Sequence, residues 1–220
     1  MPSLSKTFNR YNYKLAQIGS AFGQGNYDIY RPDYTAANQT GVLIASNVSV
    51  RADTRAQQWA EPNLSGGMYY DLFLNRNLVK PGDILIPTGL SPTASTISTW
   101  PVITVGSITP LKPAVGFLSD VLGSVRDTTA NVIYNNVRWQ WGRQGQPKSG
   151  LVDKQPISEI LPYDKSTIIM YRRQGTGQPT PIITDHMLYY TLDGMSHWLR
   201  IVDIISIGNY TTMQVEEDAR

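Results

Sequence analysis

MLYYTLDGMSHWLRIVDIISIGNYTTMQV, running from Met187 to Val215, decides the class of fold. Met187 to Leu192 reads as a strand, and Asp193-Gly194 is a dipeptide that accepts the positive φ of a tight hairpin turn. His197 to Ile205 is a second strand, and Gly208-Asn209 turns the chain into a third, Thr211 to Val215. The result is an antiparallel meander. In its middle strand Leu199, Ile201 and Ile205 fall on one face and Trp198, Val202 and Ile204 on the other. A strand apolar on both sides is expected at the centre of its sheet.

The same period of two recurs upstream. Ile168 to Tyr171 is a fourth strand for this region. Nearer the start, Tyr27 to Arg31 is a strand ended by Pro32, and from Val42 onward Ile44, Val48, Val50 and Ala52 alternate with Ser49, Arg51 and Asp53. Tyr69 to Leu74, Asp83 to Ile86, Val102 to Ile108 and Val115 to Leu118 complete the set, with Pro81-Gly82 placed as the corners of a type II turn. The predicted class is therefore mainly β, built of antiparallel barrel or sandwich modules.

One segment has a different period. Leu4, Phe8, Tyr11, Leu15, Ile18 and Phe22 are spaced 4, 3, 4, 3 and 4, which draws an apolar seam along a helix from near Ser3 to before Gly23. Such a seam is expected on the chain's own sheet or on a neighbouring subunit. The predicted organisation is thus an N-terminal helix or arm over 1–25 and a first β module over 26–125. A linker or extended loop follows over 126–155, then a second β module over 156–220. A similar order of strands in the two halves suggests duplication.

The linker reading rests on weak periodicity from Leu118 to Gln155 and on a Gly, Gln, Pro, Lys and Ser-rich stretch from Gly142 to Gly150. Within it Val137 to Trp141 is a strand candidate that puts Trp139 and Trp141 on one face. Paired tryptophans fill a core or a subunit contact, or stack sugars and bases. Arg172-Arg173 opens a projecting loop that runs to Pro181, and the pair either touches phosphates or guards a strand edge.

Composition narrows the chemistry. A net charge of +2, with no Lys/Arg run, gives no phosphate-neutralising stripe. The absence of cysteine removes disulfides, thiolate metal sites and cysteine nucleophiles. There is no leader-like start and no apolar run long enough to cross a membrane, so a cytoplasmic product is expected, and the N-x-S/T sequons at Asn38, Asn47, Asn63 and Asn209 carry no sugar. The two histidines, His186 and His197, have no G-x-S-x-G serine to serve, and with Asp185 and Asp193 they match no metal spacing. The expectation is no enzyme and no cofactor or metal. A hydrolase would need a carboxylate pair drawn from Asp53, Glu61, Asp71, Asp83 and Asp120. Only 16% of residues are charged, against thirteen tyrosines and five tryptophans, a balance suited to a surface covered by partners.

Two groups of segments carry a family resemblance. Tyr27-Asp28-Ile29-Tyr30-Arg31-Pro32, Tyr70-Asp71-Leu72-Phe73, Pro81-Gly82-Asp83-Ile84-Leu85 and Val102-Ile103-Thr104-Val105 are similar to small proteins of phage heads and necks. Leu161-Pro162-Tyr163-Asp164, with Asp193-Gly194 before Trp198-Leu199-Arg200-Ile201-Val202, resembles head-closure or stopper proteins. The resemblance implies a virion neck protein of a tailed bacteriophage: a ring of identical subunits between the portal or adaptor and the tail or neck proteins. Double-stranded DNA would pass through it, and no membrane would be involved. It also implies subunit contacts through Leu4, Phe8, Tyr11, Leu15, Ile18, Phe22, Trp139 and Trp141, and lumen or loop contacts through Arg172 and Arg173. The competing expectation is a carbohydrate-binding or tail-fibre adsorption module using Trp139 and Trp141 as a stacking platform.

Overall fold

A computed structural model describes residues 4–21, 25–33, 36–54, 69–93, 100–142, 166–171, 187–192, 195–207 and 210–217. The protein is mainly β, with one N-terminal helix, α1, over Leu4–Ala21. The helix starts and stops where the apolar spacing places it.

The first sheet contains β1 (Asn26–Arg31), β2 (Val42–Ser49), β3 (Arg51–Thr54), β4 (Tyr69–Phe73), β5 (Ile84–Pro87), β6 (Ile103–Ser107) and β7 (Ala114–Leu118). All neighbours are antiparallel, in the order β2-β1-β5-β6-β7-β4-β3. The two outer strands are consecutive in the chain and separated only by the buried Val50. One stretch of backbone therefore bends at Val50 and serves β1 on one side and β4 on the other, which wraps the sheet around its core. Tyr27, Ile29, Tyr70, Leu72, Leu85, Ile103, Val105 and Ala114 fill that core. Gly116 belongs to the same packing, because a Cβ there would press to 2.7 Å from Leu72 Cδ1.

The Pro81-Gly82 turn is type II as its sequence requires. Asp83 N donates to Lys80 O at 3.0 Å, and Gly82 carries the positive φ of 95° that the third position needs. Asp83 is buried and stitches three pieces together. Its carboxylate accepts both Arg31 Nε and Nη2 at 2.9 Å and Lys80 N at 2.7 Å, while its carbonyl accepts Val105 N at 2.8 Å.

The second sheet contains β8 (Val121–Asp127), β9 (Val132–Gly142), β10 (Ser166–Tyr171), β11 (Met187–Leu192), β12 (Met195–Ile207) and β13 (Tyr210–Glu217). Here β9 pairs with both β8 and β10, so the row β10-β13-β12-β11-β8-β9 closes on itself as an antiparallel barrel. The predicted meander is present as β11-β12-β13. Val125, Trp139, Leu199, Ile201, Met213 and Val215 pack inside.

Three sequence readings change. Residues 126–142, expected to open a linker, are instead part of the β8–β9 hairpin of the barrel. Asp127 closes its turn by accepting Thr129 N at 2.9 Å and Ala130 N at 2.8 Å. The alternating faces read for β12 are interrupted by a register shift between Ile201 and Asp203, which leaves Val202 exposed and packs Ile204 on the interior with Leu199 and Ile201. The two sheets also differ in strand number and in closure, so their topologies do not repeat each other.

Candidate functional site

Only Ser119 and Asp120 separate β7 from β8, so the two modules meet along β9. On that strand Val137 and Trp139 point into the barrel, and the alternate residues Asn136 and Arg138 bond to the first module. Arg138 is buried; Nη1 donates to Ser119 O at 3.3 Å and Nη2 to Pro92 O at 2.9 Å. Asn136 Nδ2 donates to Asn38 Oδ1 at 2.6 Å and to Thr40 Oγ1 at 2.7 Å. Beside it the backbone of Asn135 exchanges bonds with Ala37 O at 2.6 Å and Gln39 N at 2.8 Å, a short parallel bridge between modules. On the other side of the connection Ser119 is buried, with its hydroxyl 2.7 Å from Thr104 Oγ1. These bonds fasten the middle of β9 to the first module, with Asn135 and Asn136 holding residues 37–40 and Arg138 holding Pro92.

The electrostatics of the junction follow from burial. Loss of water pushes the Arg138 guanidinium down to about 10, against the pull of Asp120. The Asp120 carboxyl is raised, chiefly by desolvation, while the backbone amides of Asp120 and Val121 and the charge of Arg138 work the other way. Tyr70 is raised by burial and then by Asp120. An acid whose pKa is higher folded than unfolded stabilises the fold least when it is ionised, so folded stability falls as pH rises through that window. Asp120 keeps an exposed side, so solvent screens much of this effect, and Asp120→Asn is expected to melt only slightly above the parent protein at neutral pH, with the gap closing as pH falls toward about 4. Calorimetry across pH checks this, and a gap independent of pH would remove Asp120 titration as its cause.

The helix seam is placed differently from its reading. α1 lies on β2, β3 and β4. Among the side chains described, those it buries completely are Asn12 and Ala16, while Phe8 and Leu15 are half-buried and Tyr11, in the middle of the seam, is 58% exposed. The helix is thus turned toward the 12–16 line, where Asn9 Oδ1 accepts Arg76 N at 3.1 Å and Arg76 stands over the Phe8 ring at 5.8 Å. Neither amide atom of Asn12 has a hydrogen-bond partner. Leu4 and Ile18 belong to the helix, but their side chains lie outside the description, and Phe22 lies outside the described residues.

Trp139 is wholly inside the barrel, so it cannot be a surface stacking platform or a subunit contact; it fails as one because β9 turns that face inward. Trp141 follows on the same strand, with its side chain outside the description. Arg172, Arg173, His186 and Asp185 lie outside the described residues. Among the candidate carboxylates, Asp53 and Asp71 stand opposite each other in the β3–β4 register. Both oxygens of Asp53 are held by Arg51, Oδ1 by Nε at 2.9 Å and Oδ2 by Nη2 at 2.8 Å, and Arg51 also lies over Phe73 at 5.6 Å. Among the described residues no group of three His, Cys, Asp or Glu could hold a metal ion.

A surface that the sequence reading missed lies on β2. Val42, Leu43 and Ile44 are 65%, 48% and 37% exposed, and β2 is an outer strand with β1 as its one ladder partner among the described residues. The β1–β2 ladder shifts register here, with Ile29 facing Ala45 and Tyr30 facing Leu43, so Ile44 stands as a bulge residue and the three apolar side chains lie uncovered along a kinked outer strand. No Lys, Arg, Asp or Glu interrupts β2, although charge is a common guard on free edges. Among the described residues no helix is long and apolar enough to cross a membrane. No protein-family model matches the chain, and no curated protein and no solved structure shows a significant match to it.

Proposed function

We propose that this chain is a non-catalytic structural subunit that works by assembling with copies of itself and with neighbouring proteins. The context we propose is the neck of a tailed-bacteriophage virion, as a ring between portal and tail around the DNA passage. The observation that carries the assembly reading is the uncharged, exposed apolar strip Val42-Leu43-Ile44 on an outer strand. Contiguous exposed apolar surface of this kind marks protein contacts. The virion context draws on the resemblance of segments such as Pro81-Gly82-Asp83-Ile84-Leu85 and Asp193-Gly194 with Trp198 to Val202. The sugar-binding alternative loses support, since one of its two tryptophans fills the barrel.

Native mass spectrometry of the protein alone and mixed with a portal ring from the same genome tests the reading. Self-assembly or fixed-stoichiometry joining to the portal is the expected result, and a persistent monomer indifferent to the portal would overturn it. Deleting residues 1–22 is expected to weaken assembly far more than folding, because every ladder of the first sheet lies within residues 26–118. The check is circular dichroism beside native mass spectrometry; full assembly by the truncated chain would exclude the helix from the contact.

A further inference from the structure

The pose of α1 conflicts with its own sequence. The helix has an apolar seam through Phe8, Tyr11 and Leu15, yet among its described side chains the one it buries most deeply beside Ala16 is Asn12, with both amide atoms unpartnered. A buried amide without partners opposes docking, whereas leucine at the same place would favour it. Successive helix positions are turned by about 100°, so burying Asn12 takes Tyr11 away from the sheet. Its ring is left mostly in water. The intrachain pose therefore uses the wrong face of the helix, at a cost in polar desolvation.

We infer that this pose is provisional and that, in the assembly, the Phe8–Tyr11–Leu15 face of α1 is buried on the Val42-Leu43-Ile44 strip of a second copy. The occupant follows from what one chain carries. It has an apolar helix face that its own sheet leaves partly uncovered and, on a separate element, an apolar strip that nothing described covers. Two different patches on one molecule make a heterologous contact, the kind that repeats around a ring. Neither patch has a charge to strand: β2 has none, and Phe8, Tyr11 and Leu15 are uncharged at neutral pH. With a net charge of +2 on 220 residues, identical copies meet little mutual repulsion. Rotating the helix to present this face also returns Asn12 to water or to the rim of the contact, where its amide is solvated.

The inference rests on the assembly reading above, and the experiment separates the two. The full-length protein, Tyr11→Lys, Leu43→Lys and Asn12→Leu are compared by native mass spectrometry, alone and on the portal ring, and by thermal melting. Tyr11 and Leu43 are exposed in the single chain, so both lysine variants are expected to keep the parent melting temperature while associating roughly tenfold or more weakly. Asn12→Leu is expected to raise the melting temperature of the monomer by about 2–8 °C and to slow assembly by locking the helix down. Assembly undiminished in both lysine variants would overturn the contact and leave the assembly reading standing. Asn12→Leu melting below the parent would overturn the provisional pose. A parent protein that stays monomeric with and without the portal would overturn both readings.

Discussion

Trp139→Ala is expected to remove about 3–5 kcal/mol of stability and to lower the melting temperature by about 10 °C or more. Trp139 has no solvent exposure, and it packs in the barrel interior with Val125, Leu199, Ile201, Met213 and Val215. Truncation leaves a void that a closed sheet is poorly able to collapse around, because every strand is held on both edges. Chemical denaturation with far- and near-ultraviolet circular dichroism measures the effect. A sugar-stacking residue would behave in the opposite way, losing ligand binding with little change in stability. A melting shift under about 2 °C would therefore place Trp139 outside the core and restore the stacking reading.

Arg138→Ala is expected to cost about 2–4 kcal/mol and to loosen one module from the other. The substitution leaves the carbonyls of Ser119 and Pro92 without the donors they have now, and it empties a buried site at the junction. Arg138→Lys is not a conservative alternative, since one ammonium cannot reproduce the fork that spans the two carbonyls. Hydrogen exchange at β9 and along residues 37–40 should rise, because the Asn135 and Asn136 bonds to that segment lose their neighbouring fastener. Solution scattering should show a wider range of module orientations. Unchanged exchange at residues 37–40 would mean that the asparagine contacts hold the junction by themselves.

Much of this architecture was legible in the chain because one face of each element meets water or a single core. The seam spacing bounded α1, Pro81-Gly82 gave its turn, and the three strands read between Met187 and Val215 pair in the order read, although the faces of β12 differ after Ile201. Of the β8–β9 hairpin only Val137 to Trp141 was read as a strand, and the rest was missed for a physical reason. Asn136 and Arg138 lie on a face that is neither solvent nor apolar core but another module, so a buried Arg138 and a half-buried Asn136 stand where an apolar residue would have signalled the strand, and the usual contrast disappears. The same limit hid the pose of α1, since spacing identifies an apolar stripe but not whether the sheet beneath it takes that stripe or the Asn12–Ala16 line. The strip on β2 was read as half-buried alternation, and only the order of strands reveals that β2 is an outer strand.

The way the ladders are distributed along the chain also sets an order of events during synthesis. Every pairing of the first sheet is complete once residue 118 has emerged, whereas the barrel can close only with β13: β8 and β10 can pair with β9 early, but β8 waits for β11 and β10 for β13 as second partners. At ribosomal rates of about 5–20 residues per second, the first module has several seconds to form before the second can close. The carbonyls of Pro92 and Ser119 are then already in place when the barrel presents Arg138. The nascent chain thus builds the socket before the plug, and the polar junction is assembled against a surface that has stopped moving.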